Sequence, residues 1–319
     1  MMERVATGRI SLDLHKKKKL SGEKIFAYVC VCIPIIGFIL FSLVPLAISF
    51  ISMFTTMEYY DLSTMTWNKF ETFKVVFSDK DLYKSLLVTV MLASSQFISL
   101  TIALFISFLL SKKPKGRKIF QIIYFIPYIC SSVATAYMWM TMFDPNYGII
   151  NTIFTGIFGE GARVNWSSDA VAYVFAIIIT IVWQAPGYGI VMYKAAFDAV
   201  NPSLYEASEI DGASAWKKFW RITFPSIAPT TFFLLMTGII AGMQTFDIAR
   251  LFAVSFFPDA WTGTAGPNNI GLTTVIFIYN KGTLYFNIPE ASVASWMLFI
   301  IILVLSLVNY KLRKRWVNV

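Results

Sequence analysis

Gln184, Gln244 and Asp247 stand in long apolar segments, where a polar side chain must find a partner or serve a function. Gln184 lies in Trp183-Gln184-Ala185-Pro186-Gly187-Tyr188, and the other two bracket Gln244-Thr245-Phe246-Asp247. Amide, hydroxyl and carboxyl groups beside aromatic rings are equipped to hold a polar solute. Pro186 and Gly187 can bend a helix so that backbone groups also face a cavity. The parts needed to break bonds are missing. The single histidine, His15, sits in the basic run His15-Lys16-Lys17-Lys18-Lys19, and Cys30, Cys32 and Cys130 lie in apolar spans, the first two on different helix faces. This leaves no metal-ligand cluster, no nucleophile-base pair, no disulfide framework and no phosphate-binding glycine loop.

The same residues have structural uses. Gln184 and Gln244 can bond one helix to another, and Gln96 likewise. Asp247 and Arg250 are at helical spacing for an ion pair. Trp139, Trp261, Trp296 and Trp316 lie near span ends or in an external loop, where an interfacial aromatic belt is the default.

The elements that position these groups follow from composition. Of 319 residues, 57% are hydrophobic, 17% aromatic and only 14% charged, and mean hydropathy is +0.64. This is a membrane protein. A hydrocarbon core of roughly 30 Å needs about twenty apolar residues in a helix. Six segments qualify: 26–54, 86–111, 119–143, 170–193, 226–256 and 291–310. The fold class is therefore all-α, because in lipid the backbone must bond within its own segment and no alternating barrel pattern appears. The first span is too long for a cleaved signal peptide and is expected to remain as an anchor.

Twenty of the 27 Lys and Arg residues fall in the tails and alternate loops that share one side, so both termini and the 201–225 loop are expected in the cytoplasm. The net charge of +9 reflects this flanking pattern, without the single basic surface that nucleic-acid binding requires. The chain divides into a basic tail (1–25), a first span with its external loop (26–85), a membrane core (86–310) and a second basic tail (311–319).

Asn201-Pro202 is a strong helix start, since Asn caps free amides and Pro at the first helical position loses no hydrogen bond. A short helix is predicted there, whose Leu204, Ala207, Ser208 and Ile210 include small residues that let another protein approach the backbone closely. Gly212 then permits a left-handed turn. A second short helix is predicted over Ala213–Trp220, with Trp216, Phe219 and Trp220 on its apolar side. Pro225 is expected to end this unit before the fifth span. An interfacial helix pair with no partner is the competing reading.

Glu206-Ala207-Ser208, Gly212, Ile222 and Pro225 reproduce in full the spacing Glu-Ala-Ala, three residues, Gly, nine residues, Ile-x-Leu-Pro, with Ser208 for the second Ala and Phe224 for Leu. With Asp211-Gly212-Ala213, Gln244 to Asp247, Ala265-Gly266-Pro267 and Ala291 to Ala294, the chain resembles the carbohydrate-type permease subunits of bacterial ABC importers, similar to the maltose-type inner-membrane protein. The resemblance implies a multi-pass protein of the bacterial plasma membrane, forming half of a pore. It implies a second homologous permease, two ATP-binding subunits that use ATP and magnesium, and an extracytoplasmic solute-binding protein, with no cofactor on this chain. It assigns ATPase coupling to Glu206, Ala207, Ser208, Asp211, Gly212, Ala213, Ile222 and Pro225, and substrate contact to Gln184, Gly187, Tyr188, Gln244 and Asp247. A neutral sugar suits the absence of a basic cluster in the spans. A non-sugar solute, or an ion-coupled carrier working through Asp247, are the alternatives.

Overall fold

The computed structural model describes residues 22–57, 59–256 and 263–317. The basic run at 15–19 and Trp261 lie outside the described residues. Two compact units divide the chain, Met1–Ile48 and Ser49–Val319.

In the first unit, α1 (Gly22–Phe38) passes through a π-turn at Ile39–Leu43 into α2 (Val44–Ser52), whose last turn belongs to the second unit. Pro34 is accommodated within α1. In the second unit, Phe50 packs edge-on against Trp296, with ring centroids 5.1 Å apart.

The segment expected as a long external loop is partly ordered. A two-stranded antiparallel ribbon pairs β1 (Thr55–Thr56) with β2 (Thr66–Trp67), Thr55 opposite Trp67, and α3 (Glu71–Ser78) follows. Helix α4 (Lys80–Ser111) begins earlier than the apolar run suggests, because Asp79 Oδ1 caps it by accepting from the Asp81 amide at 2.9 Å.

The remaining helices are α5 (Arg117–Ile129), α6 (Ser132–Met142), α7 (Ile149–Phe158), α8 (Ala170–Gln184), α9 (Pro186–Asp198), α10 (Pro202–Ile210), α11 (Ala215–Lys218), α12 (Phe224–Met243), α13 (Asp247–Phe256), α14 (Thr274–Tyr279) and α15 (Ile288–Val317). Among the described residues, five helical stretches are long and apolar enough to cross a membrane, and α5 with α6, bent by 96°, makes a sixth if counted as one broken span.

Helix α4 is the centre of the second unit, packed on α8, α9, α12 and α14. Its buried residues Ser85, Val88, Leu92, Ser95, Ser99, Ala103 and Ser107 recur at helical spacing on one face. Small residues there let neighbouring backbones approach, which replaces the hydrophobic driving force that lipid does not supply. Each hydroxyl is satisfied: Ser95 and Ser99 donate to carbonyls of their own helix, and Ser107 donates to the Ile190 carbonyl of α9 at 2.9 Å.

At the end of α4 where it starts, Lys281 Nζ lies 3.0 Å from Asp79 and 2.8 Å from Glu290, tying the first turns of α4 and α15 to the π-turn Asn280–Leu284. Burial pulls the Lys281 ammonium down, but hydrogen bonds and charge from Glu290 and Asp79 outweigh it and leave its pKa above the ordinary lysine value.

Candidate functional site

Three spans break, each for a local reason. Pro186 has no amide hydrogen to return to the Val182 carbonyl, and α8 gives way to α9 at Ala185. Helix α12 stops at Gln244, while the backbone and hydroxyl of Thr245 both bond the Gly242 carbonyl, at 3.3 and 2.8 Å, before α13 restarts at Asp247. Between α5 and α6, Cys130 is extended (φ −67°, ψ 143°), two residues after the Pro127–Tyr128 bond near the end of α5.

The breaks converge on one cavity of about 490 Å³. Its polar lining comes from Gln96 and Ser99 of α4, Tyr128, Cys130 and Ser132 around the α5–α6 break, Gln184 and Tyr188 around the α8–α9 break, and Thr237, Gln244, Thr245 and Asp247 around the α12–α13 break. Leu100, Ile181 and Leu234 supply apolar wall. The volume is that of a small-ligand site. Irregular backbone at membrane depth is tolerated where it lines such a cavity. Among the described lining residues, the carboxylate of Asp247 is the one charged group, with no Lys, Arg or His beside it.

Four of the five residues marked for substrate contact thus meet here, in differing roles. Gln184 is partly committed to structure: its Nε2 donates to the Cys130 carbonyl at 3.0 Å and to Thr135 Oγ1 at 3.3 Å. Tyr188 stacks on Tyr128 with centroids 5.6 Å apart and planes 26° apart, leaving a paired aromatic wall. Gln244 and Asp247 are exposed. The Asp247–Arg250 pair allowed by their spacing does not form, because Arg250 turns inward, 7% exposed, with its guanidinium 5.4 Å from the centre of the Tyr279 ring.

Gly187 is the fifth, and it does not line the cavity. It is buried against α5, where a Cβ would come within 2.7 Å of Tyr128 Cβ and 2.8 Å of the Tyr124 carbonyl oxygen. In the fold it packs α9 closely on α5. Tyr128, Cys130, Ser132, Ser99 and Thr237 were not read from the sequence as lining residues. Pro127 inside an apolar run, followed by Ser131-Ser132, was the available signal.

The predicted coupling loop folds from its own sequence. Asn201 Oδ1 accepts from the Ser203 amide at 3.0 Å and Pro202 opens α10. The helix ends in a Schellman motif: Gly212, at φ +67°, donates to Glu209 O at 3.0 Å and Ala213 donates to Ser208 O at 2.9 Å. Glu206, Ala207, Asp211 and Gly212 are exposed, as are Ile210 (89%) and Trp216 (72%), a concentration of apolar surface that water does not favour. Ser208 differs: it is buried and donates to the Tyr205 carbonyl at 2.7 Å, so it faces its own fold. Ala213, Ile222 and Pro225 are half-buried.

Pro225 does not end the unit. Helix α11 continues through a π-turn at Phe219–Thr223 into α12, and Pro225, the second residue of α12, sits just past that π-turn, where the i−4 hydrogen-bond ladder is already interrupted. Two bonds fasten α10 to this rod: Tyr205 Oη and Thr223 Oγ1 are 2.8 Å apart, and Lys218 Nζ lies 2.9 Å from Glu209.

A helical membrane protein with broken spans around a polar cavity and an exposed interhelical loop has the architecture of a solute permease. Residues 99–315 match the model of the binding-protein-dependent transport system inner membrane component, and the chain belongs to this family. It is 28% identical to the probable ABC transporter permease protein YesP of Bacillus subtilis over 98% of both chains. It is 32% identical to the lactose transport system permease protein LacF of Rhizobium radiobacter over 67% of this chain and 68% of that one. The sn-glycerol-3-phosphate transport system permease protein UgpA of Agrobacterium fabrum is 27% identical over 77% and 80%. In fold, the chain is similar to a bacterial alginate ABC transporter crystallised with an alginate pentasaccharide-bound periplasmic protein, with a TM-score of 0.76 at 22% identity, covering 92% of this chain and 96% of that one.

Proposed function

We propose that this chain forms one half of the translocation pathway of an ATP-driven, binding-protein-dependent importer of a neutral sugar or oligosaccharide in the bacterial plasma membrane. The observation that carries this reading is the convergence of three helix breaks on a cavity lined by Gln184, Tyr188, Gln244 and Asp247. Amides, hydroxyls and opened backbone carbonyls would exchange hydrogen bonds with sugar hydroxyls, and the Tyr128–Tyr188 wall would pack on the apolar ring face. The LacF name supports a sugar; UgpA and the alginate transporter are named for anionic solutes. A lone carboxylate with no basic residue beside it disfavours an anion here.

The work would come from partners. Two ATP-binding subunits, using ATP and magnesium, would dock on α10 through Glu206, Ala207, Ile210, Asp211 and Gly212, with a second permease completing the pore and an extracytoplasmic protein delivering solute. Both termini and the 201–225 loop would be cytoplasmic, with 1–25 and 311–319 as basic tails and 86–310 as the core. A rigid-body motion of the ATPases would pass through the Tyr205–Thr223 and Glu209–Lys218 links into α12, whose far end is the break at Gln244.

The test is to tag the C-terminus, extract the protein from its native membrane in mild detergent and identify what co-purifies by mass spectrometry. An ATPase and a second, related permease are expected. A folded protein that comes out alone from several mild detergents would overturn the reading.

A further inference from the structure

A second cavity, of about 270 Å³, lies between α12 and α15 and is walled by Phe97, Ala228, Phe232, Ile239, Leu305 and Val308. Among the described residues its polar lining is at one end, where Asn309 and Arg313 enter. Ala228 and Arg313 belong to the end of the spans that carries the α10–α11 loop, so the slot runs from that water boundary toward the membrane middle. From Ala228 to Ile239 it extends roughly 16 Å at 1.5 Å per residue, about one leaflet of a hydrocarbon core of roughly 30 Å. The guanidinium of Arg313 lies 5.4 Å from the centre of the Phe232 ring, which holds it over the mouth, and it ion-pairs with no carboxylate among the described residues. Lys311, Lys314 and Arg315 are its neighbours in sequence.

We infer that this slot seats one anionic phospholipid, with an acyl chain along Phe97, Ile239 and Leu305 and the headgroup phosphate on Arg313. A one-leaflet apolar channel suits an acyl chain, and a basic mouth at headgroup level suits a phosphate oxygen, which a planar guanidinium can bind through two hydrogen bonds. The amide of Asn309 is placed to reach the glycerol ester. Charge complementarity selects the lipid, since a basic mouth at headgroup level attracts an anionic headgroup and offers an apolar helix of a partner nothing in return. An Arg at an anionic surface is worth about 1 kcal/mol, or about fivefold in lipid preference.

The test uses the full chain, extracted with its partner subunits, in native mass spectrometry with phosphatidylglycerol and phosphatidylethanolamine titrated in. One retained phosphatidylglycerol is expected. R313Q should lower the preference for it about fivefold, R313K should keep much of it, and V308W, which fills the slot from a half-exposed position, should abolish retention. Millimolar inorganic phosphate should not displace the lipid. Equal retention by wild type, R313Q and V308W would overturn the seat. So would displacement by phosphate, which marks a free-anion site, or efficient crosslinking of V308C to the second permease in native membranes, which marks a protein-covered face.

Discussion

Gln184 Nε2 donates to the carbonyl oxygen of Cys130 at 3.0 Å, so the break in one span is sealed by a side chain from the break in another. A carbonyl released from its helix in a membrane needs such a partner. Q184L should therefore do two things. It should lower stability by about 1 kcal/mol, the scale of an interhelical hydrogen bond in a membrane, read as a fall in thermal unfolding temperature in detergent. It should also reduce uptake, since the cavity loses an amide. Full stability with impaired uptake would leave only the ligand role, and unchanged uptake would remove Gln184 from the site.

Gly187 and Gly212 should behave oppositely. G187A drives a methyl into Tyr128 and the Tyr124 carbonyl, and overpacking of this kind costs about 1–3 kcal/mol, so the isolated permease should lose stability. At Gly212 a Cβ meets nothing within 4 Å, and only the left-handed backbone resists substitution. G212A should cost on the order of 1 kcal/mol, whereas G212W should leave the permease folded and abolish ATPase docking, measured by pull-down of the nucleotide-binding subunit. Normal docking and uptake by G212W would remove the loop from the interface.

The Tyr205–Thr223 link is a joint between α10 and the rod leading to the cavity. Y205F should cost about 1 kcal/mol at this contact and uncouple the motor: ATP hydrolysis in reconstituted vesicles should persist while uptake per ATP falls. A proportional loss of both would show that the bond serves assembly only.

Lys281, outside the spans, ties Asp79 at the cap of α4 to Glu290 in the first turn of α15. Its pKa is raised in the folded state, so the triad's contribution is fully present below the unfolded lysine value of about 10.4 and is lost as pH climbs through the higher folded value. Unfolding temperatures between about pH 8 and 12 should show this alkaline loss in the wild type and a diminished one in K281M. K281M should also lose stability at neutral pH, by about 3 kcal/mol or somewhat less, because two part-buried carboxylates are left facing each other. An alkaline profile identical in both proteins would exclude the triad as its source.

Replacing Asp247 tests the charge of the pathway. With Arg250 turned away onto Tyr279, D247N should leave stability within about 0.5 kcal/mol of the wild type, as for a side chain without an internal partner. Uptake should tolerate D247N better than D247K if the solute is neutral. Loss of stability in D247N would return Asp247 to a structural role.

The membrane class, the spans and the loop 201–225 were legible in the residues because each rests on local physics: apolar length, the Asn201 cap, the left-handed Gly212. Four of the five marked cavity residues were legible for a similar reason, since polar groups are conspicuous against apolar runs. What was missed depended on partners remote in sequence. The cavity role of Tyr128 depends on α9 bringing Tyr188 alongside it, and Pro225 continues a helix instead of ending one because a π-turn precedes it.

By itself, then, the order of residues determined that the chain crosses a membrane as helices, that a helix starts at Asn201-Pro202 and that a left-handed turn falls at Gly212, because these follow from solvent, backbone and neighbours within a few turns. Only the tertiary structure decided that three breaks share one cavity, that Gly187 packs while Tyr188 lines, that Ser208 faces inward and that Arg250 abandons Asp247 for Tyr279. Those outcomes are set by which helices touch, and spacing along one helix holds no record of the helix opposite.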